Sequence, residues 1–410
     1  MTRCSYLPFI FTLWIICSIS PAHAGNWPNW RGPNGDGTTS ETGFPVVWDS
    51  VQNIVWKSPV PGTGYSSPII WEDRLFITSA FVATQEKMLL CYDCHTGRLL
   101  WQVTVLKSPF ESKHNDNSYA SGTPATDGNL IYTSFLDGED VVVAAHDFTG
   151  KQVWMQRPGK FSSPHGYSCS PVLYEDKVII NGNSLGDSFM AALSKTNGRI
   201  IWKIPHENPA HSFSTPIIRE MAGKVQLIFL GNQEVASYNP DDGSKYWYVK
   251  GPSEDFTASP VYDEKSGLVL ISSAWPQRYL LAIKPDGIGD VTQSHVVWKS
   301  REGAYYVPSP VCSVGYLFTT MTNGKVYCIE IATGSILWTE NLGRQYASAV
   351  LAGGLVYMPN DDGVITVIKP GPVFQAVSRN PIGERMNASP ALSNGKIYLR
   401  GYRHLFCVGQ

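Results

Sequence analysis

The sequence is poor in charged residues and has only one long apolar run. Asp, Glu, Lys and Arg make up 16% of its 410 residues, with a formal net charge of −2; about 25% charged residues is usual. Because there is no basic excess, nothing in the composition favours nucleic-acid binding. The apolar run, residues 7–19, is shorter than the roughly 20 residues that span a bilayer.

That apolar run is typical of a secretory signal peptide. Arg3 precedes it and Ala22-His23-Ala24 follows it as a small-residue cleavage motif, so we expect cleavage before Gly25. An uncleaved membrane anchor is the alternative. Cleavage removes one basic and no acidic residue, which changes the formal charge to 31 − 34 = −3. The sequence therefore predicts an exported protein, either periplasmic or extracellular, with peripheral association with the outer membrane as one option.

No two cysteines are adjacent, and an even number of six follows the predicted cleavage site. Cys312 and Cys328 lie in one repeat and are a candidate disulfide pair in an exported chain. The segment Cys91-Tyr92-Asp93-Cys94-His95 fits the C-x-x-C-H haem-attachment pattern. However, Cys91 occupies a position that alanine holds in other repeats, which favours a small buried residue in a strand.

Other motifs of catalysis are missing. There is no G-x-S-x-G elbow, Walker loop or complete calcium loop. His206 and His211 are five residues apart with a proline between them, so they cannot share a helix face as a zinc protease motif requires. The sequence predicts no metal site and no cofactor.

What the chain does contain is a repeat. The repeat has a glycine, a small residue six positions before this glycine and a tryptophan four positions after it, and it occurs in five copies. The copies are residues 91–101, 144–154, 192–202, 237–247 and 328–338. Upstream, an apolar run opens at Pro68, Pro124, Pro171, Pro216, Pro260, Pro310 and Pro390, with Ser348-Ala349 standing in once. A Ser or Thr precedes each of these prolines.

The eight openings are 39 to 56 residues apart, a period typical of four-stranded propeller blades. The eighth repeat ends without an outer strand, whereas residues 54–57 form a tryptophan strand without an opening. If the strand at residues 54–57 is the outer strand of the eighth repeat, the blades close into a ring and the chain ends leave no exposed sheet edge. We predict an all-β, eight-bladed β-propeller of four-stranded antiparallel blades, closed by an N-terminal strand in the last blade. A seven-bladed ring is the alternative.

The predicted organisation is a signal peptide (1–24), an arm rich in turn-forming residues (25–53) and the propeller (54–410). One large indole per blade can fill the wedge between neighbouring blades. We therefore interpret the repeat tryptophans as structural: Trp56, Trp101, Trp154, Trp202, Trp247, Trp298 and Trp338. A degenerate tryptophan strand is expected near Phe374.

The pattern small-x-Asp-x-x-Thr-Gly-x-x-x-Trp, clearest in residues 91–101, resembles the tryptophan-docking repeat of PQQ-type propellers. Within this family the chain is similar to non-enzymatic exported members, including the propeller subunit of the outer-membrane β-barrel assembly machinery. The enzymatic members hold the quinone on the propeller axis with calcium and a catalytic aspartate. No residue here matches those ligands, so the resemblance implies the fold more strongly than a function.

A candidate ligand site follows from the segments before each Ser/Thr-Pro step, which converge on one mouth of the channel. They carry an aromatic residue at nearly the same offset: Tyr65, Tyr119, Tyr167, Phe213, Phe256, Tyr306 and Tyr346. Polar residues accompany them: His114, Asn115, Asp116, His165, His211, Arg344 and Arg385. The candidate ligand-binding residues are Tyr65, His114, Tyr119, His165, Tyr167, His211, Tyr306 and Arg344. The alternative is that the aromatic residues seal blade junctions.

Three functions remain open at this stage. The leading one is a monomeric binding or scaffold propeller of the cell envelope with protein partners. The others are a quinone-dependent oxidoreductase and a binder of a saccharide or small ligand at the aromatic mouth.

Overall fold

The computed structural model describes residues 25–208 and 210–409, which form eight separate sheets. The predicted signal peptide lies outside these residues. No helix occurs in this part of the chain, and accordingly none that could cross a membrane. The eight sheets are the blades of a β-propeller, which confirms the predicted fold and excludes the seven-bladed alternative.

The strands are numbered along the chain, beginning with β1 (Ile54–Pro59). Blade 1 is β2 (Ile69–Trp71), β3 (Arg74–Phe81), β4 (Glu86–Asp93) and β5 (Leu99–Lys107). Blade 2 is β6 (Ala125–Thr126), β7 (Leu130–Asp137), β8 (Asp140–Asp147) and β9 (Gln152–Lys160). Blade 3 is β10 (Val172–Tyr174), β11 (Lys177–Gly182), β12 (Phe189–Ser194) and β13 (Ile200–Pro205). Blade 4 is β14 (Ile217–Met221), β15 (Lys224–Gly231), β16 (Glu234–Tyr238) and β17 (Lys245–Lys250).

Blade 5 is β18 (Val261–Asp263), β19 (Leu268–Ser272), β20 (Leu280–Ile283) and, after the short β21 (Gly289–Asp290), β22 (Val296–Ser300). Blade 6 is β23 (Val311–Ser313), β24 (Tyr316–Thr320), β25 (Lys325–Glu330) and β26 (Ile336–Asn341). Blade 7 is β27 (Val350–Ala352), β28 (Leu355–Pro359), β29 (Val364–Ile368) and β30 (Ala376–Pro381). Blade 8 is β31 (Ala391–Ser393), β32 (Lys396–Arg400) and β33 (His404–Val408), with β1 as its outer strand.

The ring closes through β1, which pairs antiparallel with β33. Trp56 lies opposite Cys407, the same tryptophan-to-small-residue pairing as Trp101 with Cys91 and Trp338 with Cys328. In blade 2 the partner of Trp154 is Ala145, not the Ala144 that the repeat spacing predicted. The turn from Asp147 to Gly150 is one residue shorter than the turn from Asp93 to Gly97, which moves the register by one.

Each repeat tryptophan joins its blade to the next one. The indole N–H of Trp56 donates to the Cys94 carbonyl of blade 1 over 2.9 Å, and that of Trp101 donates to the Phe148 carbonyl of blade 2 over 3.0 Å. The same contact is made by Trp154 to Lys195, Trp202 to Pro240, Trp247 to Pro285, Trp298 to Ile331 and Trp338 to Gly371. The indole row therefore crosses every blade boundary except that between blades 7 and 8.

The repeat glycine is needed for this docking. Gly97 has a φ of 70°, and a Cβ at this position would lie 2.6 Å from the ring of Trp56. The glycine thus supplies both the left-handed turn and room for the indole of the preceding blade. The other turn glycines approach the preceding indole in the same way: Gly150 to Trp101, Gly198 to Trp154, Gly243 to Trp202 and Gly334 to Trp298.

Blade 7 has no tryptophan of its own, and the arm supplies one. Ser378 occupies the tryptophan position opposite Val367, whereas Phe374 precedes β30 and packs edge-on against Trp338 of blade 6. The arm residue Trp48 stacks on Tyr357 of blade 7 with ring centroids 6.5 Å apart. Trp101 lies on Phe76 at a similar 6.0 Å in blade 1. The arm therefore completes the aromatic row, which was not expected from the sequence.

A ring of hydrogen bonds surrounds the channel at the residues that open the blades. The backbone N–H of Ser67 donates to the Thr123 hydroxyl over 2.9 Å, and Ser389 closes the ring by donating to the Ser67 hydroxyl over 3.0 Å. The intervening donors are Thr123, Ser170, Thr215, Ser259, Ser309 and Ser348, each to the hydroxyl of the next blade. We call these eight residues the hydroxyl ring. The Ser or Thr before each proline is explained by this bond.

The arm crosses the opposite end of the channel. It is hydrogen bonded to blades 1, 2, 4, 6, 7 and 8, through Ile70, Thr126, Arg219, Pro310, Leu351 and Ser393 respectively. Arg31, which is fully buried, donates to the carbonyls of Asp36 and Pro310. Since one short segment contacts blades on all sides of the ring, it plugs the channel.

The six cysteines within the described residues are free thiols. Cys312 packs into the cluster between blades 5 and 6, whereas Cys328 packs into the cluster between blades 6 and 7, so the candidate disulfide is wrong. Likewise, Cys91 lies among residues of blades 1 and 2 and Cys94 among those of blades 8 and 1. The two side chains belong to different junctions, which excludes haem attachment to both.

The arm tryptophan can be tested by its effect on stability. Trp48→Ala should lower the free energy of unfolding by about 3–5 kcal/mol, because it removes a buried aromatic ring from a blade junction. Chemical denaturation measures this change. Trp275→Ala, at a residue 63% exposed, is the matched control and should change it by less than about 1 kcal/mol. Equal effects of the two substitutions would contradict the role given to Trp48.

The hydroxyl ring gives a second stability test. Ser309→Ala leaves the buried N–H of Ser259 without an acceptor and should cost about 1–3 kcal/mol of unfolding free energy. Ser309→Thr keeps the hydroxyl, as Thr123 and Thr215 do in their blades, and should retain most of the stability. If the alanine and threonine variants were equally stable, the hydroxyl ring would not contribute.

Candidate functional site

The segments before the hydroxyl ring alternate between buried and half-buried residues. In all eight, the residue two before the ring Ser or Thr is half-buried, and its immediate successor is buried. An extended chain places successive side chains on opposite sides, so only the former set can face the mouth. This set is Tyr65, Ser121, Ser168, Phe213, Thr257, Val307, Tyr346 and Asn387. The mouth is therefore less aromatic than the sequence predicted.

The other predicted aromatic residues lie elsewhere. Tyr167 is 4% exposed, and its ring packs edge-on against Phe161 at 5.1 Å between centroids. Phe256 is fully buried. Tyr119 stacks on Phe110 at 4.0 Å. Tyr167 and Phe256 are thus placed to seal blade junctions, which is the alternative that the sequence left open. Tyr306 is half-buried beneath the Arg278 guanidinium.

The mouth is bridged by the loop between blades 1 and 2, residues 108–121, which we call the mouth loop. Its Asp116 carboxylate accepts hydrogen bonds from the Tyr346 hydroxyl at 2.7 Å and from Arg344 at 3.1 Å. Tyr346 and Arg344 precede blade 7, three blades away around the ring. The Tyr346 hydrogen bond, followed by the Arg344 charge, lowers the pKa of Asp116. A carboxylate held in this way stays ionised at neutral pH.

Further contacts fix the two ends of this bridge. At the base of the loop, the buried Lys87 forms an ion pair with Glu111 at 2.5 Å. At the far side, Arg344 also pairs with Asp361 at 3.2 Å. Asp361 is 4% exposed, and burial raises its pKa despite the nearby guanidinium. Lys87, Glu111 and Asp361 were missed at the sequence level, because no local pattern links residues that are far apart along the chain.

Three imidazoles form a row beside the bridge. The ring of His165 lies 5.9 Å from that of His114 and 5.7 Å from that of His211, measured between centroids. The His165 carbonyl accepts the backbone N–H of His114 and the side-chain amide of Asn117, so the row lies where the mouth loop is attached. Burial, followed by repulsion from His211 and His114, lowers the pKa of His165. Tyr65 lies apart from the row and packs on Tyr402 at 5.5 Å.

The residues on the axis do not fit a quinone cofactor with calcium. The end opposite the mouth is filled by the arm with Arg31, and the mouth is bridged by Asp116. Within residues 25–208 and 210–409, no group of three or more His, Cys, Asp or Glu side chains is placed to hold a metal ion. The Asp116 carboxylate in the bridge is already hydrogen bonded to a tyrosine and an arginine.

The histidine row predicts that the mouth loop loosens in mild acid. The pKa of His165 in the folded protein is below its unfolded value of about 6.5. Neutral His165 therefore stabilises the attached mouth loop fully above that pH, and this stabilisation is lost as the pH falls. Amide-exchange protection factors of residues 108–121 should therefore decrease between about pH 7 and pH 5, while Asp116 remains ionised.

His165→Gln should remove most of this pH dependence, because it removes the central positive charge from the row. His95→Gln, in an exposed turn at the other end of blade 1, is the control and should behave like the unmodified protein. Protection that is unchanged over this pH range in the unmodified protein would contradict the assignment.

Comparison with known sequences gives a family. The family model described as "Outer membrane protein assembly factor BamB" matches residues 85–306 and 289–371, which together span more than half of the chain. The Yersinia pestis protein with this name is 20% identical over 378 residues, covering 87% of this chain and 83% of that protein. The corresponding protein of Shewanella oneidensis is 21% identical over 310 residues, covering 70% and 74%.

Solved structures with the same fold include BamB and enzymes. BamB from Moraxella catarrhalis superposes with a TM-score of 0.60 at 14% identity, covering 87% of this chain and 99% of that one. The quinohemoprotein alcohol dehydrogenase of Comamonas testosteroni has a TM-score of 0.69 at 11% identity, covering 94% and 81%. These structures establish the propeller fold. The family-model match shows that the chain belongs to the PQQ-like β-propeller family whose model is described as outer membrane protein assembly factor BamB.

Proposed function

We propose that this chain is an exported β-propeller of the cell envelope that binds protein partners during the assembly of outer-membrane proteins. Its family, and two relatives named outer membrane protein assembly factor, support this role. The observation that carries the proposal is that the chain's own segments occupy both ends of the channel, with Arg31 at one end and Asp116 at the other. Recognition therefore falls to the outer surface.

The outer strands offer one way to bind a polypeptide. In blade 4 the outer strand β17 already pairs with the short parallel strand β21, at Trp247 with Gly289 and Tyr248 with Asp290. In the described part of the chain, the other seven outer strands carry no such addition. An outer edge of this propeller can thus accept a further strand, which is a common mode of peptide recognition.

Neither alternative function has comparable support. A quinone-dependent oxidoreductase needs the axis for its cofactor, and here the arm occupies it. A saccharide site at an aromatic mouth would rely on rings such as Tyr167, which is buried in a blade junction. Tyr167→Ala is expected to lower stability rather than to report on a ligand.

Affinity purification from cross-linked envelopes tests the proposal. The full-length chain, tagged at its C-terminus and expressed in its native cell, should enrich subunits of the β-barrel assembly machinery over a tagged exported protein of unrelated fold. The purified protein should not oxidise alcohols in a dye-linked assay with added PQQ and calcium. No enrichment, together with such an oxidation, would overturn the proposal in favour of an enzyme.

A further inference from the structure

A surface cavity lies away from the mouth, at the outer rim of blades 3 to 5. Its volume is about 730 Å³, and it lies among the ends of β13 and β17 and the turns that follow β15 and β19. We call it the rim groove. These connections belong to the same end of the blades as the mouth, so the groove is open to the side that carries the longest loops.

The charges in the rim groove are not balanced. Lys245 is paired with Glu234, and Lys250 is paired with Asp290 at 2.8 Å. Among residues 25–208 and 210–409, no group pairs with the side-chain carboxylates of Glu207 or Glu254, which are both exposed. The groove therefore presents two uncompensated negative charges, while its positive charges are satisfied internally.

An exposed tryptophan at the edge of the groove is joined through its backbone to one of these two glutamates. Trp275 is 63% exposed. Its backbone carbonyl accepts the N–H groups of Glu254 at 3.0 Å and Asp255 at 2.9 Å, which holds Glu254 and Trp275 side by side. An exposed carboxylate and an exposed indole on neighbouring backbone segments are both suited to a guanidinium or ammonium group, since each attracts a cation.

We propose that the rim groove binds an extended, arginine- or lysine-bearing segment of a partner protein, with Glu207, Glu254 and Trp275 as the recognition residues. This inference rests on the proposed function and names the chemistry of the partner. A neutral glycan would leave both carboxylates uncompensated, so the charge favours a basic polypeptide. Amide groups such as Asn208 and Gln233 are available to its backbone.

Fluorescence anisotropy with synthetic peptides tests this. The probe is a labelled 12-residue peptide of alternating threonine and arginine, and the comparison peptide has glutamine in place of arginine. The arginine peptide should bind more tightly, and increasing salt from 50 to 500 mM should weaken its binding, because exposed charges are screened.

The variants Glu207→Gln/Glu254→Gln and Trp275→Ala should each raise the Kd for the arginine peptide about tenfold. Glu264→Gln/Glu340→Gln is the matched control, because it removes two exposed carboxylates outside the groove, and it should leave the Kd unchanged. Equal binding of both peptides, no binding of either, or preferential binding of a neutral N-acetylglucosamine hexasaccharide would overturn the inference.

Envelope purification with Glu207→Gln/Glu254→Gln separates this inference from the proposed function. Loss of the assembly-machinery subunits with this variant, but not with Glu264→Gln/Glu340→Gln, supports the rim groove. If both variants retained the subunits, the groove assignment would fail while the proposed function stood. If even the unmodified chain enriched none, the proposed function itself would fail.

Discussion

The hydroxyl ring is the constraint on which the rest of the propeller depends. Its eight backbone N–H groups each have one acceptor, the hydroxyl of the next blade, and the last bond returns to Ser67. A buried N–H without an acceptor is costly, so every blade must lie at the same radius and orientation. Proline follows seven of these residues and fixes the entry into the inner strand. The inner ring therefore stays uniform although the repeat length varies, and the extra residues lie in connections outside the ring, such as the mouth loop and the insertion carrying β21.

The indole row repeats this closure at a larger radius, and here the two chain ends matter. Trp56 at the start of the propeller docks on Cys94 of blade 1, and Trp48 from the arm stacks on Tyr357 of blade 7. The arm is thus part of the mechanism that closes the ring, as well as the plug of the channel. Blade 7 can lack a repeat tryptophan because a residue more than 300 positions earlier takes its place.

Local patterns were sufficient for the fold. The repeat around Gly97 and Trp101, the eight openings and the unpaired strand at residues 54–57 together gave blade number and closure. They could not place Trp48, because no repeat marks a tryptophan in an irregular arm. They also could not separate mouth residues from junction residues: Tyr65 and Tyr167 differ by one position relative to the hydroxyl ring, and that one position reverses the direction of the side chain. The Asp116–Arg344 contact joins residues 228 positions apart, a distance at which charge alone does not identify a partner.

Both ends of the channel are occupied by the chain's own segments, which directs ligand binding from the axis to the outer surface. A propeller that keeps its axis open can hold a ligand there, enclosed by all blades. Here Arg31 and the arm close one end, and the mouth loop bridges the other through Asp116. The surface left for binding is the rim, where the insertion carrying β21 and the loops around Trp275 and Glu254 project from blades whose inner strands are fixed. Because the hydroxyl ring holds these blades rigidly, such loops can differ in sequence and charge without disturbing the core, and under the proposed function they would present the partner-binding groups in a fixed geometry.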